Sequence, residues 1–403
     1  MEVLLSMENQ QERRRFLKYF FSLLAFGTGS IYSFGRDKGM GTGKTGLLKP
    51  LLSEAHGKAD VVPGMKKIAV EEHFTTEKIL NHLASRVKAG ARYNMPLSFD
   101  VTSHAQSFIS DKRLRDMDEA GIDMQVISPV CFQDGLIDPS EATSLSRLTN
   151  DETCEIIKKY PKRFAGFAGL ACQDPDAAAK ELERAVKELG LKGAMIYSHI
   201  QGEYLDAKKF RVIFETAERL GVPIYLHPKE PSPDMIKPYS TYPALAGKIW
   251  GYAAEAGLHA MRLICSGLFD QCPNLKIILG HGGEGLPALM WRMGLDSDGN
   301  GGGSPGGEGK ASGQIPGQPG QLGIKKQPGQ YVKDNFYVTT SGMFWGPVLE
   351  FLYSAMGPDR VLFAVDYPAE SSSLAVKAIE SLSISNKDKE KIFHINTEKL
   401  LKF

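Results

Sequence analysis

Paired cysteine, net charge and long apolar runs are all scarce in this sequence, and each shortage removes a class of protein. Five cysteines occur in 403 residues, at Cys131, Cys154, Cys172, Cys265 and Cys272. No C-x-x-C spacing is present, so neither a disulfide framework nor a cysteine-ligated zinc site is expected. Cys265 and Cys272 stand seven apart and could meet, but buried free thiols are the expectation. Basic residues number 48 and acidic residues 47, a formal net charge of +1. That balance excludes a chain built to neutralise a nucleic-acid backbone. The most apolar stretch, Tyr19–Phe34, is diluted by Gly27, Thr28, Gly29 and Ser30, which argues against a spanning helix.

What is present begins with a basic cluster. Arg13-Arg14-Arg15-Phe16-Leu17-Lys18 precedes that apolar stretch, the order of an export signal. It resembles a twin-arginine signal with Arg13 and Arg14 as the pair, although Glu12 stands where Ser or Thr is usual. Residues 1–35 are therefore read as an export signal served by the twin-arginine machinery, for a periplasmic or otherwise exported protein, with a cytoplasmic protein as the alternative. Residues 36–64, rich in Gly, Lys and Pro, read as a linker. Gly43-Lys44-Thr45 is not a phosphate loop, because position 38 is Lys where that motif needs Gly.

From residue 65 to 403, short β-branched or aromatic runs alternate with amphipathic stretches. Eight strands are predicted: Ile68–Glu71, Met124–Ser128, Phe164–Leu170, Gly193–Tyr197, Pro223–Leu226, Lys276–Leu279, Asn335–Thr339 and Val361–Ala364. Several are continuous apolar runs, as in a parallel sheet covered by helices. Residues 174–190 read as a helix, with Asp174 as cap, Pro175 in the first turn and Gly190 as stop; residues 207–221 repeat the plan. Eight strands with intervening helices predict an α/β fold, a (β/α)8 TIM barrel. The proline-rich stretch 229–245 should be a loop on the carboxyl face. Residues 297–330, dominated by Gly, Pro, Gln, Ser and Lys, should add little to the core.

Polar residues gather where the strands end, the face on which barrels carry chemistry. Strand one ends Glu71-Glu72-His73, strand five reaches His227-Pro228, strand six His281-Gly282-Gly283-Glu284, and strand eight Asp366-Tyr367-Pro368. Alternation puts Glu71 and His73 on one side of strand one. Carboxylates and imidazoles converging from different strands suit Zn²⁺, Mn²⁺ or a similar divalent ion.

With these motifs in this order, and with Leu279–Pro287 reading Leu-Gly-His-Gly-Gly-Glu-Gly-Leu-Pro, residues 66–403 resemble the metal-dependent decarboxylase branch of the amidohydrolase superfamily. That branch includes the γ-resorcylate, 2,3-dihydroxybenzoate, 5-carboxyvanillate and aminocarboxymuconate-semialdehyde decarboxylases. The resemblance implies one divalent metal ion per chain, Zn or Mn, held by Glu71, His73, His227 and Asp366. It implies catalytic roles for Asp366, for His281 and for Glu284, which would orient the His281 ring. Arg292, eleven residues beyond His281, is implied as a clamp for a substrate carboxylate. A homo-oligomer, dimer or tetramer, is implied as well.

Three departures stand out: Ala369 replaces a usual Phe after Asp366-Tyr367-Pro368, Lys229 a common Arg, and 297–330 is a longer connection. The closing Asn396-Thr397-Glu398-Lys399-Leu400-Leu401 resembles the family's last helix, with Asn396 as its cap. The expected activity is non-oxidative decarboxylation of a hydroxyaromatic or related unsaturated carboxylic acid. The alternative is hydrolysis of a lactone or ring-cleavage product, with Asp366 or His281 activating water.

Overall fold

A computed structural model describes residues 64–81, 108–129, 138–295 and 322–403, which belong to one compact unit spanning His56–Phe403. The export signal, the linker up to residue 63 and Cys131 lie outside the described residues. The strands are β1 (Ile68–Phe74), β2 (Met124–Pro129), β3 (Phe164–Gly166), β4 (Ala168–Gly169), β5 (Ala194–Tyr197), β6 (Ile224–His227), β7 (Ile277–Leu279), β8 (Phe336–Thr339) and β9 (Val361–Leu362). All pair in parallel, in the orders β1-β2-β3 and β4 through β9.

Both gaps in that ladder are bridged. The predicted strand Phe164–Leu170 divides at Phe167, whose N–H donates to Ile127 O at 2.9 Å while Ala168 N–H donates to Gly193 O at 2.9 Å. One strand therefore serves both neighbours. On the other side, Val70 N–H donates to Phe363 O (3.1 Å), Asp366 N–H to Glu71 O (3.0 Å) and His73 N–H to Tyr367 O (2.8 Å). The result is a closed eight-stranded TIM barrel.

Period-two alternation sorts the strand residues. Val70, Val126, Phe167, Met195, Tyr225, Ile278, Tyr337 and Leu362 pack together inside the barrel. Their neighbours Ala69, Ile127, Ala168, Ile196, Leu226, Leu279, Val338 and Phe363 face the helices. Leu401, from the last helix, joins the inner cluster and closes one end of it. Strand β1 breaks the alternation once: Ala69 pairs with Gln125 but Glu72 with Ile127. The extra residue is a bulge. It lets Glu71 follow Val70 to the inside.

The predicted helices form with modest changes of boundary. Pro175–Lys187 starts where Asp174 Oδ1 accepts from Ala177 N–H at 3.0 Å, and Arg211–Leu220 ends at Gly221 with φ +64°. A left-handed backbone of this kind is cheap only for glycine. The stretch 229–245 is a loop with short 3-10 turns at Lys237–Tyr239 and Pro243–Ala246. Cys154, Cys172, Cys265 and Cys272 are free thiols.

Two expectations need correction. Residues 297–321 lie outside the described residues, but residues 322–330 of that segment do contribute to the core: Ile324 is buried, and Lys325 N–H donates to Asp270 Oδ2 at 3.0 Å. An apolar side chain and a partner on a distant helix outweigh the local composition. Asn396 is not a side-chain cap; its amide donates to Pro358 O (2.7 Å) and Val361 O (2.8 Å), so it ties the last helix to β9.

Candidate metal centre

Glu71, His73, His227 and Asp366 each present one ligand atom, and these atoms all lie within 4.8 Å of one another. They come from β1, the end of β6 and the chain just past β9. His73 Nε2 stands 3.3 Å from Asp366 Oδ1, and His227 Nε2 3.4 Å from Glu71 Oε1. The two imidazole rings meet edge to face, 4.7 Å between centroids.

Their electronic state suits ligation. His227 Nδ1 sits 2.7 Å from Pro228 O, so that nitrogen carries the hydrogen and Nε2 keeps its lone pair. Burial, then the charges of His73 and His281, push His227 well below the usual imidazole range. It is neutral. Glu71 is fully buried, and its Oε1 has no hydrogen-bond partner. A buried carboxylate oxygen without a donor is costly, and a divalent ion at this point would satisfy it. Its other oxygen accepts from Tyr225 OH and, at 3.2 Å, from Thr339 Oγ1. Two carboxylates and two imidazoles fit zinc or manganese.

His281 and Glu284 stand beside this group. His281 Nδ1 is 2.8 Å from Glu284 Oε1, and its Nε2 is 3.6 Å from Asp366 Oδ2 and 3.7 Å from Glu71 Oε1. Burial opposes a charge on His281, but the carboxylates of Glu71 and Glu284, with Asp366, more than offset it and hold the ring well above its usual range. Burial likewise opposes the Asp366 charge, yet hydrogen bonds to His281 and His73 hold that carboxyl below the usual range.

The backbone is bent to achieve this. His281, Glu284 and Asp366 have φ of +47°, +51° and +75°, a region costing roughly 1–3 kcal/mol for residues other than glycine. At Gly280 a Cβ would lie 3.0 Å from Glu71 Oε1 and 3.1 Å from Tyr225 OH. Only glycine lets the carboxylate approach that closely.

The structure thus brings together six of the seven residues expected at the site. Arg292 is exposed, in the turn after Leu286–Leu289, and among the described residues it makes no hydrogen bond or ion pair. Ala369 is also exposed. Sequence reasoning missed Tyr225, Thr339, Ser341 and Tyr197. Ser341 Oγ accepts from His281 N–H at 3.0 Å, and Tyr197 OH lies 3.3 Å from His73 Nδ1. Tyr225 stands two before His227 on β6, so the alternation that places one places the other. The polar end of β8, Thr339-Thr340-Ser341, was the corresponding signal for the hydroxyls.

A second buried network holds the loop after Tyr197. Leu205 N–H donates to His259 Nε2 (3.0 Å), His259 Nδ1 faces Ser198 Oγ (3.1 Å), and Ser198 Oγ–H donates to Glu255 Oε1 (3.1 Å). Burial, reinforced by the charges of His199, Arg262 and Lys229, pushes His259 down to about 3 from 6.5. The unfolded chain therefore binds a proton that the folded one refuses. The contribution is complete above pH 6.5 and drains as pH falls toward 3. His259→Gln should accordingly be less acid-sensitive. Between pH 7.5 and 5, wild type should lose about 2 kcal/mol more unfolding free energy than the variant. Urea unfolding at both values reads this, and equal losses would refute it.

The geometry agrees with comparisons to known proteins. The amidohydrolase family model matches residues 73–403. The γ-resorcylate decarboxylase of Polaromonas sp. is 38% identical over 343 residues, 83% of this chain and 98% of that protein. The one from Rhodococcus jostii is 36% identical over 346 residues, with the same coverage of each. A crystal structure of dihydroxybenzoic acid decarboxylase from Polaromonas sp., with bound manganese and 2-nitroresorcinol, superposes with a TM-score of 0.71 at 37% identity, covering 84% of this chain and 97% of that one. The 5-carboxyvanillate decarboxylase of Sphingomonas paucimobilis gives 0.72 at 30%, covering 84% and 99%. From residue 73 to its last residue, the chain belongs to the amidohydrolase family, and within it to the metal-dependent decarboxylase branch.

Proposed function

We propose that this enzyme removes the carboxyl group of a hydroxybenzoate whose hydroxyl is ortho to it, without oxidation. The observation that carries the reading is the convergence of Glu71, His73, His227 and Asp366, with the His281–Glu284 pair against the same carboxylates. Relatives named for γ-resorcylate and a structure solved with 2,6-dihydroxybenzoate support the substrate class.

A divalent ion bound by the four ligands would supply a positive charge that gathers the substrate's carboxylate and neighbouring oxygen and fixes the scissile bond. Asp366 delivers a proton to the ring carbon that bears the carboxylate. The carboxylates of Glu71 and Glu284 favour a proton on the His281 ring, whose Nε2 lies 3.6 Å from Asp366 Oδ2. His281, steadied by Glu284, is placed to hand a proton to Asp366 as substrate charge enters the site. Protonation interrupts ring conjugation. The carbon–carbon bond then breaks, its electron pair returns to the ring, and carbon dioxide leaves, so one proton is consumed per turnover. Arg292 enters the proposal as an outer contact for the carboxylate. On sequence grounds alone, twin-arginine export and a homo-oligomeric state belong to the same reading.

The test is a panel of γ-resorcylate, 2,3-dihydroxybenzoate, 5-carboxyvanillate, aminocarboxymuconate semialdehyde and simple lactones, run in deuterated water. A hydroxybenzoate should yield carbon dioxide and a phenol carrying one deuterium at the former carboxyl position. Turnover of lactones alone would replace this reading with hydrolysis.

A further inference from the structure

Glu72 lies between two of the proposed ligands yet points away from them, out of the barrel. It is fully buried. Its Oε1 accepts from Val365 N–H at 2.9 Å, and its Oε2 accepts from Tyr367 N–H at 3.3 Å and from Gln125 Nε2 at 3.2 Å. Val365 and Tyr367 flank Asp366, whose own N–H goes to Glu71 O. One carboxylate therefore grips the peptide on each side of the residue held at φ +75°.

The grip is itself braced from outside the barrel. Arg113, fully buried on the helix Asp111–Ala120, donates through Nε to Gln125 Oε1 (2.8 Å) and through Nη1 to His73 O (2.7 Å). Its guanidinium lies 4.6 Å from the centre of the Tyr367 ring, and Tyr367 OH donates to Asp116 Oδ2 at 2.9 Å. The two ends of this network are the backbone of His73 and the backbone around Asp366.

The arrangement follows from how β9 ends. Its ladder pairing with β8 stops at Leu362, so the N–H groups beyond it need other acceptors. A side-chain carboxylate provides two at once. It can do so because the bulge in β1 turns Glu71 and His73 inward and leaves Glu72 on the outer side.

We propose that Glu72 is a positioning residue for the metal centre: by holding the N–H groups of Val365 and Tyr367, it sets where the Asp366 carboxylate stands relative to Glu71, His73 and His227. The inference rests on the reading of those four residues as metal ligands. It predicts that metal affinity, and not only folding, depends on a side chain that never reaches the metal.

The experiment is calorimetric titration of metal-free, full-length protein with Mn²⁺ alone. Glu72→Gln keeps the shape but turns an amide N–H₂ toward one of the two N–H donors. It should weaken Mn²⁺ binding about 10–100-fold, the range seen when an outer partner of a ligand is lost. Glu181→Gln is the control. Glu181 is equally buried and is bound by Asn150 and Arg184, none of which belongs to the metal centre; this variant should keep wild-type affinity. Should Glu72→Gln fail to fold, Gln125→Met removes one brace and leaves the carboxylate, and a several-fold loss is expected. Wild-type affinity in the Glu72 variant, or in Gln125→Met when it is the one that folds, overturns the inference. So does an equal loss in Glu181→Gln. Absence of Mn²⁺ binding by wild type would instead overturn the ligand assignment itself.

Discussion

His227→Ala should come out of purification without its divalent ion and without activity. The ring supplies a neutral nitrogen whose orientation is fixed by Pro228 O, at the point where the Glu71 oxygen has no hydrogen-bond partner. Removing it takes away one of four donors and opens the centre to water. The loss of affinity should exceed the roughly 10–100-fold that attends removal of an outer partner, and micromolar Mn²⁺ or Zn²⁺ should not restore turnover. Wild type stripped with a chelator, by contrast, should regain activity when either ion is returned. Elemental analysis and a decarboxylation assay on the same samples decide the matter; equal metal content in variant and wild type would remove His227 from the ligand set.

Asp366→Asn should separate binding from chemistry. Asparagine is among the few residues that tolerate a left-handed backbone, so the turn at φ +75° should survive and the protein should fold. The amide oxygen can still face an ion, but the group no longer carries a proton to carbon. Turnover should fall by about 10²–10⁴-fold, the usual worth of a positioned acid, with a smaller change in apparent substrate affinity. Undiminished decarboxylation would assign the acid elsewhere, with His281 the next group in line. A matching loss in His281→Asn at neutral pH would fit the hand-over of a proton across 3.6 Å.

Much of this centre was legible in the sequence because its ligands sit at strand ends, and strand ends are marked by where apolar runs stop. His227 follows Ile224-Tyr225-Leu226, and Asp366 follows a run that includes Phe363-Ala364-Val365. The partners of those ligands were not legible, for a different reason. Val365 and Glu72 are 293 residues apart, and Thr339 and Glu71 are 268 apart; local pattern cannot pair them. Arg113 carries no local signal of burial, yet it is wholly buried because acceptors from two strands await it. Residues 322–330 failed in the opposite sense. Their composition suggested little contribution to the core, but Ile324 is buried and the Lys325 N–H finds the Asp270 carboxylate. Composition reports what a segment offers, not what the rest of the chain has prepared for it.

The extra residue in β1 separates two alphabets written on one strand. Up to Val70 the inward positions spell the apolar filling of the barrel; from Glu71 the inward positions spell chemistry, in opposite phase. Were the same residues to run in strict alternation, without the bulge, the two faces beyond Val70 would be swapped. Glu71 and His73 would turn toward the helices, and Glu72 would become the inward carboxylate. The metal centre therefore depends on the extra residue in β1 as much as on the identity of its ligands.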